Sequence, residues 1–280
     1  MKGKLNFEIV RLLNQGGRGD VYLGYVRLLN LYVAVKYLRE WHIPQARQAF
    51  FREIDTLGKQ IPGMVRLLGF DKLANPPYYV MEYHPGGTLT QHAGRLNVQQ
   101  LPSLAMALAK ILADFHQKCG PHGDYKPDNI LVAQDGQLRL GDPAGNGFGF
   151  SVLFAPARGG TPGYWAPEIR ANGTVSIQSD IFSFAATLFH LVTGQRPVDD
   201  QDFDLWRYGG HCQDTLREVI LLGTQTDPKA RPTLQQIIRV LNGGSWESIR
   251  ASQQRQAEQQ RNAVGVALAA GLLLVLLAAK

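Results

Sequence analysis

The sequence predicts an α+β chain of two lobes, a small β-rich N-terminal lobe and a larger α-helical one, followed by a C-terminal transmembrane helix. Three observations lead there. The first 40 residues hold runs rich in Val, Leu, Tyr and Ile between Gly or Asn breaks; from residue 101 the apolar spacing takes the helical period; and Ala263–Ala279 is an unbroken run of 17 apolar residues. A length of 280 residues with 45% hydrophobic and 19% charged content excludes disorder and collagen and suffices for two lobes around a cleft. The formal net charge of +6 comes from bases spread along the chain, not gathered in a block, which speaks against a nucleic-acid partner. Cys119 and Cys212 are too few and too isolated for a disulfide framework or a thiolate zinc site, so the folded part belongs in a reducing compartment.

In chain order, LNFEIVRLLN, DVYLGYVRLL and LYVAVKYLR read as a three-stranded antiparallel meander. Pro44 opens a helix with Phe50, Ile54 and Leu57 at helical spacing, broken at Pro62-Gly63. MVRLLGFD and PPYYVMEY are two more strands, and His84-Pro85-Gly86-Gly87 is a connector. Leu101–Lys118 is amphipathic, with Leu104, Leu108, Ile111, Leu112 and Phe115 on one side, whereas Ile181–Val192 is apolar almost all round and reads as a central buried helix. Further helices are expected over Asp214–Leu222 and Thr233–Leu241. The small lobe is thus set at residues 6–83 and the large lobe at 84–245.

Residues 246–262, rich in Gln and Arg, read as a linker with no core of its own. The run at 263–279 is about 25 Å long as a helix, near the lower limit for a membrane span. Arg250, Arg255 and Arg261 precede it and only Lys280 follows, which leaves the preceding lobes on the cytoplasmic side. Ala263, Ala267 and Gly271 recur every four residues and give a weak homodimer face. The start, MKGKLNFEIV, lacks the apolar core of a cleaved leader.

The chemistry-bearing residues fall into two groups. Between the first two strands, Asn14-Gln15-Gly16-Gly17-Arg18-Gly19 is a turn whose glycines let backbone N–H groups approach an anion; taken alone it is more often an ordinary hairpin. Lys36 ends Val33-Ala34-Val35-Lys36 and shares a strand face with Ala34, while Glu53 lies on the apolar helix face and needs a cation there, for which Lys36 is the candidate. The second group is HGDYKPDNIL, residues 122–131, followed by Asp142. Asp124 is suited to take a hydroxyl proton, and Asn129 and Asp142 offer hard oxygen ligands to Mg²⁺. That is equipment for phosphoryl transfer.

Over residues 6 to about 242 the chain resembles the eukaryotic-like Ser/Thr protein-kinase family of the bacterial type. The motifs are ordered: a Gly-rich turn, VAVK, a helix Glu, VMEYHPGGTL, HGDYKPDNIL, an Asp-led segment, GTPGYWAPEI, SDIFSFAATLFHLVTGQRP and DPKARP. The resemblance implies a bilobal kinase-like fold, ATP with Mg²⁺ or alternatively Mn²⁺, and a protein substrate with a Ser or Thr hydroxyl. It implies that Lys36 holds the ATP α/β-phosphates and pairs with Glu53, that Asp124 is the base, and that Asn129 and Asp142 hold the metal. Lys126 would steady the γ-phosphate. Leu13, Asn14, Gly16, Gly17, Gly19, Val21 and Ala34 would cover the nucleotide from above and Leu131 from below. Met81 would back the pocket, with the Glu82 carbonyl and the His84 N–H as the hinge. By the same resemblance Glu168 pairs with Arg231, Asp180 opens the central helix and anchors the catalytic loop, and His122 is a packed structural histidine.

Several positions depart from the family pattern. Asn14 replaces the first glycine, a residue that tolerates positive φ better than most. Gly123 stands where many members have an Arg that reads an activation-loop phosphate. Asp142-Pro143-Ala144 replaces Asp-Phe-Gly, and Pro143 and Ala144 restrict the backbone, so a site held in one state is expected, with Ser151 the sole hydroxyl before Thr161. Two other readings stay open: a phosphotransferase of the aminoglycoside-kinase type, which also carries His-Gly-Asp with Asn five residues on, and a membrane-tethered pseudokinase acting as an ATP-binding scaffold.

Overall fold

The small lobe is built on one twisted antiparallel sheet whose strand order, β1-β2-β3-β5-β4, places the meander Glu8–Gln15 (β1), Gly19–Val26 (β2) and Leu31–Leu38 (β3) beside Tyr78–Glu82 (β5) and Leu67–Asp71 (β4). The computed structural model describes residues 5–16, 19–142, 163–252 and 255. Gly17, Pro143, Ala144, Ser151 and the expected membrane span at 263–279 lie outside them. Among the described residues no helix is long and apolar enough to cross a membrane.

The period-2 alternation of β3 sorts its side chains between two environments. Val33 and Val35 join Val26, Tyr78 and Val80 in a cluster on one face, against which Leu5 and Phe7 pack. Ala34, Lys36 and Leu38 turn to the other face, toward the helix Pro44–Gly58 (α1) and the cleft. Pro44 stands at the start of α1, where a missing N–H costs nothing, and Ala46, Phe50, Glu53, Ile54 and Leu57 are its buried stripe.

The large lobe is organised around Leu101–Cys119 (α2) and Ile177–Thr193 (α4), with Pro167–Asn172 (α3) ahead of α4 and Asp214–Gly223 (α5) and Leu234–Leu241 (α6) behind it. Every residue of α4 from Ser179 to Leu191 is buried, which explains a sequence with no polar stripe. A capping box of Ser176 and Ser179 starts α4, and Gly194 at φ 72° ends it. Asp180 therefore sits in the first turn of α4, not at its opening as expected, because Ser176 supplies the cap. A short hairpin, Ile130–Val132 (β6) with Leu138–Leu140 (β7), lies against the small lobe: Val65 N–H donates to the Leu140 carbonyl at 2.9 Å and Leu140 N–H to that of Gly63 at 2.8 Å. One apolar core runs through both lobes, from Phe50 and Leu57 to Leu112, Phe184 and Ile237.

The linker reading of 246–262 needs correction at its start. Residues 246–252 are helical, Ile249 is 3% exposed and Trp246 packs on the large-lobe core. Two apolar residues three positions apart, followed by a Gln- and Arg-rich stretch, are enough to dock this piece.

Candidate active site

Residues directly opposed in an antiparallel ladder share a face. Lys36 lies opposite Val21 on one side and Tyr79 on the other, and Ala34 lies between Leu23 and Met81. Val21, Ala34, Lys36 and Met81 thus line one surface of the sheet. Asn14 is opposite Val21 in β1 and has no positive φ, so the tolerance for which Asn was noted is not used. Leu13 falls at a register irregularity between Leu12 and Asn14. Gly16 N–H donates to the Gly19 carbonyl at 3.0 Å, closing the turn. Gly19 is dictated by packing: a Cβ there would lie 2.2 Å from the Tyr37 carbonyl oxygen.

Lys36 Nζ is 2.7 Å from Glu53 Oε1, with side chains only 7% and 3% exposed, and it also pairs with Asp142. A buried carboxylate on α1 is thus held to a strand of the sheet, and the same ammonium reaches Asp142, the second residue after β7. Asp142 has φ 49°, a left-handed conformation unusual for a non-glycine residue. Tyr79, buried on β5, donates its hydroxyl to Glu53 Oε1 at 2.6 Å. The sequence reading missed Tyr79, whose register opposite Lys36 is set only in the assembled sheet.

The catalytic-loop candidates are assembled by α4. Asp180, 1% exposed, accepts the backbone N–H of His122 at 2.5 Å and of Gly123 at 2.9 Å, and the ring of His116 on α2 at 2.7 Å. The expected anchor is present; His116, an isolated His on an amphipathic helix, gave no sequence signal. Gly123 takes φ 79°, so glycine removes a backbone cost at this point as well as leaving no guanidinium. His122 is fully enclosed, and burial lowers its pKa below the ordinary imidazole value despite three nearby carboxylates. Its Nδ1 accepts from Asp124 N–H at 3.3 Å while Nε2 lies 3.2 Å from the Gly141 carbonyl, the pattern of a neutral ring protonated on Nε2. Burial likewise lowers the pKa of His84.

Lys126 Nζ lies 2.9 and 3.1 Å from the two Asp124 carboxylate oxygens. Asn129 Nδ2 donates to the Asp124 carbonyl at 2.7 Å and to its Oδ2 at 3.0 Å. Both amide protons of Asn129 are thereby spent on Asp124, which orients its Oδ1 away as an acceptor. Gly141 N–H donates to the Asn129 carbonyl at 2.8 Å, tying this loop to the Asp142 segment. Among the described residues no cluster of three or more His, Cys, Asp or Glu forms a metal cage. One amide oxygen and one carboxylate instead suit a hard ion that takes its other ligands from phosphate and water.

At the hinge position, the Glu82 side chain accepts the Arg66 N–H at 3.0 Å, and His84 is 8% exposed with its carbonyl accepting from Gly87 N–H at 3.2 Å. Leu131 lies in β6 opposite Arg139 and forms a bridge to Thr88. Away from the cleft, Arg231 grips Glu168 through two bonds of 2.6 and 2.8 Å, the expected pair.

Two lobes, a lysine–glutamate pair joining β3 to α1 and an anchored Asp-containing loop define a kinase-type phosphotransferase scaffold. The protein kinase domain family model matches residues 7–241, and the chain belongs to that family. Among curated relatives, it is 29% identical to an L-type lectin-domain containing receptor kinase V.5 of Arabidopsis thaliana, over 85% of this chain and 42% of that protein. It is 25% identical to the LRR receptor kinase SERK2 of Oryza sativa subsp. japonica, over 91% and 50%. It is 27% identical to a probable LRR receptor-like serine/threonine-protein kinase of Arabidopsis thaliana, over 92% and 48%. The chain spans half or less of the length of these relatives.

Proposed function

We propose that the chain is a protein Ser/Thr kinase that transfers the ATP γ-phosphoryl group to a Ser or Thr hydroxyl. The observation that carries this is the Asp124 carboxylate held by Lys126 and Asn129 while Lys36 joins Glu53 to Asp142. In this reading Asp124 accepts the hydroxyl proton as the oxygen attacks the γ-phosphorus, the bond to the β-phosphate oxygen breaks and ADP leaves. Lys36 binds the α/β-phosphates, Lys126 faces the γ-phosphate, and the Glu82 carbonyl and His84 N–H bind the adenine edge between Val21, Ala34, Met81 and Leu131, with the Leu13–Gly19 turn, Gly17 included, over the phosphates. Asn129 and Asp142 would hold Mg²⁺, which supplies neutralisation of phosphate charge when bound.

The family membership and a relative named as a serine/threonine-protein kinase support protein substrates. The relatives named are plant proteins and lend nothing to the bacterial-type subdivision. The Glu168–Arg231 clamp also supports a protein-substrate reading, because it fixes the segment after Thr161 that a small-molecule phosphotransferase does not need. Membrane tethering through 263–279, with cytoplasmic lobes and a weak homodimer, is retained on the sequence argument alone; sedimentation with vesicles that is lost on deleting 263–279 tests it. Restriction of the site by Pro143-Ala144 is retained on the same footing. Transfer of ³²P from [γ-³²P]ATP to a basic protein, lost in Asp124→Asn with the fold kept, is the expected outcome. No transfer by the wild-type chain under Mg²⁺ or Mn²⁺ would select the pseudokinase reading.

A further inference from the structure

We infer that Tyr79 is a positioning residue that locks the Lys36–Glu53 pair, so that α1 is held inward from within the small lobe; this rests on the kinase reading above. Tyr79 lies directly opposite Lys36 in the β3–β5 ladder and is 1% exposed. Its hydroxyl donates to Glu53 Oε1 at 2.6 Å, the same oxygen that Lys36 Nζ approaches at 2.7 Å. The ring lies against Phe50, one turn before Glu53 on α1, with centroids 5.3 Å apart, and Lys36 Nζ stands 5.8 Å from its centre. One side chain therefore touches both partners of the pair and the helix that carries one of them.

The physical need is specific. Lys36 is also drawn to Asp142, so a Glu53 held by Lys36 alone would share its cation with a competing carboxylate. The buried phenol must find an acceptor, and only an inward α1 supplies Glu53. Swinging α1 outward would break two hydrogen bonds to one oxygen, those from Lys36 and from Tyr79. The lock is internal to the small lobe, which matches a chain whose Gly123 leaves no guanidinium to read a phosphate.

The test is Tyr79→Phe, which removes one oxygen and keeps the ring. A buried hydrogen bond to a carboxylate predicts a loss of about tenfold or more in ATP affinity, read by titration with a fluorescent ATP analogue on the full chain. A double-mutant cycle separates positioning from general packing: in a Glu53→Ala background, which has no acceptor for the hydroxyl, the same change should have less than about a third of that effect. Equal losses in both backgrounds, or wild-type affinity in Tyr79→Phe, overturn the inference. If the wild-type chain binds ATP but transfers nothing, the kinase reading fails while the cycle still decides the role of Tyr79. If it binds no ATP, amide exchange decides: Tyr79→Phe should speed exchange in α1 relative to α2, and unchanged exchange overturns the lock.

Discussion

Two buried ion pairs, one in each lobe, use opposite chemistry. Arg231 is completely enclosed and spends its planar fork on five bonds: two to Glu168, and one each to the carbonyls of Gln178, Gln225 and Thr226 at 2.8, 2.7 and 3.2 Å. Lys36 is a point charge between two carboxylates on different segments, one of which, Asp142, has a side chain 31% exposed at the cleft. A saturated guanidinium has nothing left to offer a ligand, so it fixes the chain. An ammonium with rotatable donors can exchange a carboxylate for a phosphate at little cost in geometry. The difference teaches that burial and pairing do not identify a functional charge; the exchangeability of its partners does.

Swapping the two cations should break this contrast most sharply. Lys36→Arg keeps the charge opposite Glu53 but replaces a compact donor with a rigid fork. We expect phosphate transfer to fall about 1,000-fold, with no more than about 1–2 kcal/mol of stability lost to the extra bulk. Arg231→Lys should do the reverse: it loses most of the five bonds and strands carbonyls in the large lobe. About 3 kcal/mol of unfolding free energy should go, measured by urea titration, with transfer per folded molecule within about twofold of wild type. Rate loss in the second variant, or collapse of stability in the first, would show that the pairs are not divided in this way.

Acidification probes the same division through neutral groups. His84, His122 and His190 all have pKa values lowered by burial. Because the folded values lie below the unfolded one of 6.5, the unfolded chain takes up protons first as pH falls. Stability is therefore full above about pH 6.5 and declines as pH drops through the lowered folded values. Urea midpoints should fall steadily from about pH 7 to 5, before most carboxylates titrate. A flat midpoint over that window would mean that these rings are charged or accessible in the native state.

How much of this was legible in the sequence follows from how local each signal is. The five small-lobe strands, the Pro44 helix and the two main large-lobe helices announced themselves through alternation, caps and period, and all stand where expected. Lys36–Glu53, Glu168–Arg231 and the Asp180 anchor were reachable because motif order fixes which distant segments meet. Tyr79 and His116 were not: each is a single polar side chain whose role its own element does not mark, and only the three-dimensional arrangement tells that its partner is a buried carboxylate. The helix at 246–252 was hidden for the opposite reason, its two anchoring residues being read together with the Gln- and Arg-rich stretch at 253–261.

The smallest expected effect concerns the support shared by Arg231 and the loop that carries Asp124. The first turn of α4 supplies both the Gln178 carbonyl to Arg231 and the Asp180 carboxylate to the His122 and Gly123 amides. Ser176 caps that turn, its hydroxyl accepting the Ser179 N–H at 3.1 Å. Ser176→Ala removes the cap while leaving every ion pair chemically intact, and should cost about 1 kcal/mol of stability. If the turn is held mainly by the burial of Ile181 and Phe184, transfer by the folded protein should stay within about twofold, since Asp180 keeps its place. A larger drop in transfer than in stability would mean that the loop depends on the cap directly, and that the structural and catalytic halves of the large lobe are joined at this one turn.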